Sequence, residues 1–230
     1  MWINWNDLPG SMKNEQVRPY YEKLKQKRGS LIVKRLFDIV VSSAMLILLS
    51  WLFLILAIAI KVDSHGPVFY RQIRVTTGNR DFRIFKFRTM INNADKIGSL
   101  VTTGNDARIT RVGAKIRKCR LDEIPQLLNI LKGEMSFVGT RPEVRKYVDQ
   151  YTDEMMATLL MPAGVTSLAS ISFKDEDELL ESCMQTGMSL DEAYIKKLLP
   201  KKMEYNLSYL HQFGFFYDIK IMIKTVIKVF

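Results

Sequence analysis

Cysteine and histidine are scarce in this sequence, which has only two of each among 230 residues. Cys119 and Cys183 lie far apart and form no C-x-x-C pair, so the sequence predicts neither a disulfide framework nor a zinc site. The scarcity of thiols indicates a reducing compartment. With His65 and His211 as the only histidines, we expect neither a Ser-His-Asp triad nor a histidine metal centre.

Acidic residues are also in the minority, because 24 Asp and Glu residues stand against 34 Lys and Arg residues and the formal net charge is +10. A pI near 9.5, together with basic segments that contain aromatic residues, is compatible with a membrane-anchored nucleic-acid-binding protein. That class is one of three that the sequence leaves open at this point. The other two are a membrane enzyme and a scaffold without turnover.

One run, Ile39–Ile60, contains no charged residue and only three serines. It meets the criterion of about 20 apolar residues for a membrane helix. A cleaved signal peptide is not predicted, because residues 1–38 precede the run and are mostly polar. The sequence therefore predicts a retained membrane helix at about residues 36–61.

Basic residues flank this run on both sides. Those before it are Arg18, Lys23, Lys25, Lys27, Arg28, Lys34 and Arg35, and those after it are Lys61, Arg71, Arg74, Arg80 and Arg83. A simple span would place one basic flank outside the cell, which the positive-inside rule opposes. A helix that enters the bilayer and turns back leaves both flanks in the cytoplasm, so we favour re-entry, with a span as the alternative.

Two runs rich in β-branched and aromatic residues, "PVFYRQIRV" and "DFRIFKFRTM", predict a β-hairpin from Val68 to Met90 around the turn signal "TTGNR". In the second strand, Lys86 and Arg88 lie two residues apart and hence on one face. Two neighbouring cations repel each other unless an anion joins them. They are either solvated surface residues or part of a phosphate site.

The stretch "RLDEIPQLLNILKGEMSFVGTRP" sets Asp122 and Glu123 at the start of a predicted helix that ends before Gly133. The apolar face of this helix is formed by Ile124, Leu127, Leu128 and Leu131. One interpretation is structural: Asp122 caps the helix, and Glu123 complements its dipole. Adjacent positions on a helix diverge by about 100°, so the two carboxylates also suit divided roles, one as nucleophile and one as metal ligand.

Basic residues surround this carboxylate pair. Arg117, Lys118 and Arg120 precede it and are expected to keep both carboxylates ionised. The following "SFVGTRP" supplies Gly139 for a close backbone approach. It also supplies Arg141, which Pro142 holds extended in a pose that fits bidentate capture of a phosphate.

Five segments in order resemble the monotopic polyprenyl-phosphate phosphoglycosyltransferases, the bacterial sugar transferases. They are "KRLFDI", "GPVFYRQIRV", "FKFRTM", "LDEIPQLLNILKGEMSFVGTRP" and "YDIKIMIKT". The resemblance runs from about Lys34 to the C-terminus. It implies transfer of a sugar phosphate from a UDP-sugar to polyprenyl (undecaprenyl) phosphate at the cytoplasmic face of the bacterial inner membrane, as the first membrane step of glycoconjugate assembly.

The resemblance also implies roles for individual residues. The aspartate at the position of Asp122 attacks the sugar-linked phosphate, releases UMP and holds a covalent phosphosugar. Glu123 is the second member of the catalytic pair, and Mg²⁺, held by the two carboxylates, assists. Lys86 and Arg88 match the basic strand near the nucleotide. Arg141, followed by Pro142, matches the phosphate-binding arginine of the motif "GPRP".

Three departures from the family pattern affect these expectations. Ser50 is followed by Trp51 where the family has a proline that breaks the membrane helix, so a straight span stays open. "GTRP" replaces "GPRP" and loses one rigid residue before Arg141. The segment "MPAGVTSLASISFKDEDE", residues 161–178, differs from "RPGITGWAQVNGR" of many members, and we expect it to affect the choice of sugar.

The expected fold class is α+β and mostly helical, with one re-entrant membrane helix, a small β-hairpin and interfacial amphipathic helices. Residues 1–30 form a polar and basic extension, interpreted either as a membrane-surface arm or as a disordered segment. Residues 31–230 form the sugar transferase domain, with its cytoplasmic catalytic part at 62–230.

The tail "FFYDIKIMIKTVIKVF" predicts a helix in the headgroup plane, with a core helix as the alternative. Expected partners are a UDP-sugar, polyprenyl phosphate and the bilayer, without nucleic acid, and a homo-oligomer is compatible with the sequence.

Overall fold

The computed structural model describes residues 2–94, 106–173 and 176–229 of the chain. It is mostly helical, as the sequence predicts. The helices are α1 Arg18–Gln26, α2 Arg28–Leu48, α3 Ser50–Asp63, α4 Arg111–Lys118, α5 Gln126–Lys132, α6 Arg145–Val148, α7 Leu168–Ser172, α8 Glu176–Gln185, α9 Leu190–Ala193, α10 Leu199–Gln212 and α11 Phe215–Val229. A π-helical turn, Tyr194–Leu198, joins α9 to α10.

The predicted β-hairpin is confirmed. Strand β1, Phe69–Thr76, pairs antiparallel with β2, Arg80–Phe87, and its register places Tyr70 opposite Lys86. The turn between them contains Gly78 at φ +69°, a left-handed conformation that suits glycine.

A second, parallel strand pair was not predicted from the sequence. Strand β3, Met135–Val138, pairs with β4, Ala163–Thr166. Glycines let these two chain segments approach closely, because a Cβ on Gly139 would lie 2.4 Å from the carbonyl oxygen of Pro162. The close backbone approach predicted at Gly139 is therefore an approach between the segments of β3 and β4.

The apolar run lies in α2 and α3, which bend by 61° at Leu49. Within the described ranges, no single helix is both long and apolar enough to cross a bilayer, whereas the bent pair α2–α3 meets the length and composition criteria as a unit. The pair leaves many large apolar side chains exposed: Ile32, Val33, Leu36, Ile39, Val40, Ile47, Leu48, Trp51, Leu54, Ile55, Ile58 and Val62.

The two limbs of this bent pair pack against different parts of the protein. Met45, Leu46 and Leu49 pack on a cluster around Phe82 and Ile130. Leu52, Phe53, Leu56 and Ile60 pack instead with Phe87 and Ile116. The bend therefore occurs without proline, at the point where the helix pair passes from one cluster to the other.

The N-terminal segment packs into the main core. Met12, Val17 and Leu24 are fully buried, in the same cluster as Tyr209 and Phe213. The interpretation of this segment as disordered is therefore wrong for residues 2–26, whereas its interpretation as a membrane-surface arm stays a prediction. These irregularly spaced apolar residues lie on short 3-10 turns and on α1, so no single periodicity marks them.

Candidate active site

Helix α5 is fastened to the hairpin by Asn129, which is fully buried. Its side-chain oxygen accepts from the backbone N–H of Phe85 at 2.8 Å, and its amide nitrogen donates to the carbonyl oxygen of Arg83 at 2.9 Å. The same nitrogen donates to Glu134 at 2.7 Å. Asn129 thus fixes the helix that follows the carboxylate pair against the strand that carries Lys86.

The carboxylate pair lies in a short 3-10 turn, Leu121–Glu123, which we call the catalytic turn after the role that the family resemblance predicts for Asp122 and Glu123. Arg120 precedes it with φ +52°, an uncommon left-handed conformation for a residue other than glycine. Helix α5 begins only at Gln126 and has no side-chain cap. The interpretation of Asp122 as a helix cap is therefore wrong. The end of α5 at Gly133, with φ +79°, is as predicted.

Glu123 joins two of the predicted site residues. Its Oε1 accepts from Lys86 Nζ at 2.9 Å and from Arg141 Nη2 at 2.8 Å. Burial raises the pKa of Glu123, but the charges of Arg141 and Lys86 outweigh that effect and hold the pKa well below its usual range. Glu123 is thus an ionised carboxylate that fixes two cations at the site.

Asp122 lies in a different environment from its neighbour. Burial raises its pKa, Lys86 opposes the rise, and the negative charge of Glu123 adds to it. The pKa values of the two carboxylates thus shift in opposite directions, upward for Asp122 and downward for Glu123, and the expectation that the surrounding cations keep both ionised stays a prediction for Asp122. The adjacent acids are differentiated, with Glu123 neutralised by two cations and Asp122 facing a cavity.

This cavity has a volume of about 330 Å³ and lies between the hairpin and the catalytic turn. Asp122 is the sole acidic residue among the described residues that line it. The basic residues of the lining are Arg71, Arg74, Lys86, Arg88, Arg108 and Arg117. Asp106 partly neutralises Arg108 through a 2.6 Å ion pair. Cationic walls of this kind bind anions such as phosphate and diphosphate.

Arg88 lines the cavity, but it also forms hydrogen bonds with the end of the bent helix pair α2–α3. Its Nη2 donates to the carbonyl oxygens of Ile60 at 3.2 Å and Ser64 at 2.6 Å, and to Ser64 Oγ at 2.9 Å. Its Nε and Nη1 are buried and have no hydrogen-bond partner among the residues that the structure describes. Lys86 and Arg88 were predicted to lie on one face of the strand, and both line the cavity. However, Lys86 contacts Glu123, whereas Arg88 contacts the end of α3.

Arg141 and Pro142 lie beside the cavity, outside its described lining. Arg141 reaches the site through Glu123, and its side chain is about one-third exposed. The carbonyl oxygen of Pro142 accepts from Arg74 Nη1 at 3.1 Å, while Arg74 Nε and Nη2 donate to Gln72. Pro142 therefore positions an arginine of the cavity wall through its backbone.

Arg74 is a site residue that the sequence reasoning assigned only to the basic flank. Burial lowers its pKa, and the charge of Glu143 opposes the change. The signal that identifies it is strand alternation: Tyr70, Gln72 and Arg74 share one face of β1, and Tyr70 pairs with Lys86. Arg71 and Arg108 were also not assigned to the site.

No group of three or more His, Cys, Asp or Glu side chains that could hold a metal occurs within residues 2–94, 106–173 and 176–229. Two adjacent carboxylates, those of Asp122 and Glu123, lie in the catalytic turn. This donor set fits Mg²⁺, which takes hard oxygen ligands and is commonly held by one or two carboxylates together with substrate phosphates.

The fold and the site together define a mainly helical protein that sets a carboxylate pair in a basic cavity next to a bent apolar helix pair. Comparison with known proteins gives the family. The chain belongs to the bacterial sugar transferase family, whose model matches residues 29–230. That match covers every predicted site residue.

Curated relatives support the same assignment. The chain is 37% identical over 197 residues to the UDP-N-acetylgalactosamine-undecaprenyl-phosphate N-acetylgalactosaminephosphotransferase of Aeromonas hydrophila, covering 84% of this chain and 43% of the relative. It is 36% identical over 207 residues to the UDP-glucose:undecaprenyl-phosphate glucose-1-phosphate transferase of Klebsiella pneumoniae, covering 87% and 41%. The chain thus spans about two fifths of the length of these two relatives. The exopolysaccharide production protein ExoY of Rhizobium meliloti is 31% identical over 210 residues, covering 85% of this chain and 84% of the relative.

Proposed function

We propose that this protein transfers a sugar 1-phosphate from a UDP-sugar to polyprenyl phosphate and releases UMP. The main support for the proposal is the position of Asp122 in the wall of a cavity. The other charged side chains among the described lining residues are all basic. The names of the relatives supply the substrate class. A cationic cavity suits a diphosphate donor, and a single carboxylate in its wall suits attack on phosphorus.

In the proposed reaction, a carboxylate oxygen of Asp122 forms a bond to the sugar-linked phosphorus. The bond from that phosphorus to the bridging oxygen breaks, and UMP leaves with the electron pair. An oxygen of the polyprenyl phosphate then attacks the same phosphorus and breaks its bond to Asp122, which restores the carboxylate. The reaction needs the ionised form of Asp122; burial raises the pKa of this carboxyl, and the charge of Lys86 opposes the rise.

The cations have separate tasks in this proposal. Lys86 and Arg141, which both form ion pairs with Glu123, bind phosphate oxygens beside Asp122. Arg88 and Arg74 contribute charge to the cavity wall. Asp122 and Glu123 would hold Mg²⁺ together with the phosphates, and the ion would supply charge neutralisation at the diphosphate.

We further propose that α2 and α3 form a re-entrant element in the bacterial inner membrane, with the catalytic part facing the cytoplasm. Contacts at both ends of the apolar pair support this. Near its start, Lys34 Nζ donates to the carbonyl oxygen of Val138 at 2.7 Å and pairs with Asp218 at 2.6 Å. At its end, Asp63 accepts from the backbone N–H of Val112 at 3.1 Å. Since both ends contact the same folded unit, a straight span between two sides of a bilayer would break one set of contacts.

The exposed apolar residues of the bent pair then face lipid, with Trp51 near the deepest point. Helix α11 adds a second lipid-facing surface through Phe216, Ile223, Val226 and Ile227, which are all more than half exposed. Its lysines fit the headgroup region of a helix that lies in the interface plane. This arrangement holds the cavity close to the membrane surface, where a polyprenyl phosphate presents its head group.

The test of the activity is UMP release by the purified full chain in nanodiscs, with a panel of UDP-sugars, polyprenyl phosphate and Mg²⁺. The Asp122→Asn variant is expected to be inactive, because the amide is not a competent nucleophile and no histidine among the described lining residues can replace it. Activity of this variant within about tenfold of wild type would contradict the covalent route. Strong nucleic-acid binding without UMP release would favour the alternative class.

The test of the topology is cysteine labelling in intact cells. Single cysteines near residue 10 and residue 229 are introduced into a background without Cys119 and Cys183, and an impermeant reagent is added from outside. Re-entry predicts that both sites are protected until the cells are opened. Labelling near residue 10 in intact cells would mean that the segment spans.

A further inference from the structure

We propose that Asp63, the last residue of α3, is a positioning residue for the reaction: its carboxylate holds α4, and α4 sets the place of the catalytic turn that carries Asp122. This inference rests on the proposed function, because it assigns Asp63 a role in that reaction. It would make the end of the membrane-associated helix pair a part of the active-site framework.

The contact is made at the N-terminus of α4. Asp63 Oδ2 accepts from the backbone N–H of Val112 at 3.1 Å, and Thr110 Oγ1 accepts from the backbone N–H of Gly113 at 3.0 Å. Both amides belong to the first turn of the helix, where backbone donors lack partners within the helix. Thr110 is a local cap, whereas Asp63 lies 49 residues away along the chain. Its negative charge also complements the positive end of the helix dipole.

Helix α4 is held tightly against the extension of strand β2 at the same end. The backbone N–H of Thr110 donates to the carbonyl oxygen of Thr89 at 3.0 Å. A Cβ on Gly113 would lie 2.1 Å from that oxygen, so the backbones are already in contact. Arg88, the residue before Thr89, fixes Ser64, the residue after Asp63. The end of α3, the end of β2 and the start of α4 therefore meet at one junction.

The catalytic turn follows the other end of α4 with little freedom between them. The helix of eight residues is about 12 Å long and ends at Lys118. Cys119 caps it, and Arg120, in a left-handed conformation, opens the turn. Leu121 packs on the same apolar cluster as Leu56 and Ile60 of α3. A tilt of α4 at the Asp63 end would therefore move Asp122 relative to the cavity.

The experiment compares Asp63→Ala with Asp63→Asn in the full chain in nanodiscs. Alanine removes the acceptor, whereas asparagine keeps an oxygen that can accept from Val112. We expect kcat for UMP release to fall at least about tenfold in Asp63→Ala while KM for the UDP-sugar changes less than about threefold, because the nucleophile is displaced. Asp63→Asn should recover kcat to within about threefold of wild type. Asp153→Ala, the same change at an exposed aspartate, is the matched control.

A smaller loss in Asp63→Ala, or an asparagine variant as slow as the alanine variant, would overturn the positioning role. If the alanine variant is not recovered folded, Asp63→Ser replaces it, since the shorter side chain removes the carboxylate while retaining a polar group. Amide hydrogen exchange at Val112 provides a readout that does not depend on activity, and it should accelerate when the carboxylate is lost. A wild-type protein without UMP release would instead refute the proposed function, and unchanged exchange at Val112 would refute the contact.

Discussion

Replacing Glu123 by glutamine tests the electrostatic organisation of the site. The change keeps the size of the side chain and one acceptor oxygen but removes its charge. In the wild-type protein, a single oxygen of Glu123 accepts from both Lys86 and Arg141, at 2.9 Å and 2.8 Å. The Glu123→Gln variant would therefore leave two cations facing each other without the anion that separates them.

The size of the effect follows from the exposure of the three groups. Removing one partner of a fully buried ion pair costs about 3–5 kcal/mol, whereas exposed pairs contribute about 1 kcal/mol or less. The Glu123 side chain is 13% exposed, but those of Lys86 and Arg141 are 22% and 36% exposed. Water thus solvates the cations in part, and we expect a loss of about 2 kcal/mol in the free energy of unfolding. For a chain of this size, that loss lowers Tm by about 4–8 °C.

The assay is thermal unfolding of the full chain in nanodiscs as a function of pH. Because the pKa of Glu123 is depressed in the folded state, its stabilisation is present above the ordinary glutamate pKa of about 4.3 and is lost as pH falls through the folded-state value. The difference in Tm between wild type and Glu123→Gln should therefore be constant from pH 7 to about pH 5 and shrink only in stronger acid.

Glu154→Gln is the matched control for this prediction. Glu154 accepts from the neutral hydroxyl of Tyr20 at 2.7 Å, so the same substitution there removes a charge without leaving unpaired cations. Its effect on Tm should be clearly smaller. A Tm of Glu123→Gln within about 1 °C of wild type at pH 7, or a difference that grows as the pH falls, would refute the assignment of Glu123 as the anion that holds the two cations.

Two further site variants and one packing variant extend these tests. Arg141→Lys should lower kcat/KM for the UDP-sugar at least about tenfold, because a point charge cannot reproduce the guanidinium fork; unchanged kinetics of UMP release would move Arg141 out of the site. Lys86→Met should raise KM more than it lowers kcat, as steady-state kinetics will show, if Lys86 binds the ground-state phosphates. Gly113→Ala should destabilise the protein by about 2 kcal/mol in thermal unfolding, because its Cβ would lie 2.1 Å from Thr89 O. Gly29→Ala, where a Cβ meets nothing within 4 Å, should be neutral or stabilising, and equal effects of the two alanines would contradict this reasoning.

Local signals in the sequence were sufficient for the hairpin and for the end of α5. The turn signal "TTGNR" separates two strands rich in aromatic and β-branched residues, and Gly133 takes the left-handed conformation expected at a helix end. The parallel pair β3–β4 lacks such a signal. Each strand has only four residues, and the second follows the first after a separation that includes α6 and a 3-10 segment. Pairing of this kind depends on tertiary contacts, which local periodicity does not encode.

The site was predictable to the extent that charge and spacing indicate it. Asp122, Glu123, Lys86 and Arg141 were assigned from motif and charge, and the structure brings them together around Glu123. The sequence did not show that Arg88, which lines the cavity, directs its hydrogen bonds to the end of α3. The four site residues could be assigned because a charged residue is recognised from its type. The partners of Arg88 could not be predicted, because hydrogen-bond partners are set by segments that are distant in the sequence.

The bend between α2 and α3 shows the same limit of local reasoning at a larger scale. The absence of a proline after Ser50 left a straight helix open, because proline is the usual local cause of a sharp kink. The observed bend of 61° follows instead from packing, since the residues before Leu49 contact the cluster around Phe82 and those after it contact the cluster around Phe87. A straight continuation of α2 would withdraw the second limb from its cluster and remove Asp63 from α4. The geometry that supports re-entry and the geometry that places the catalytic turn therefore depend on the same bend.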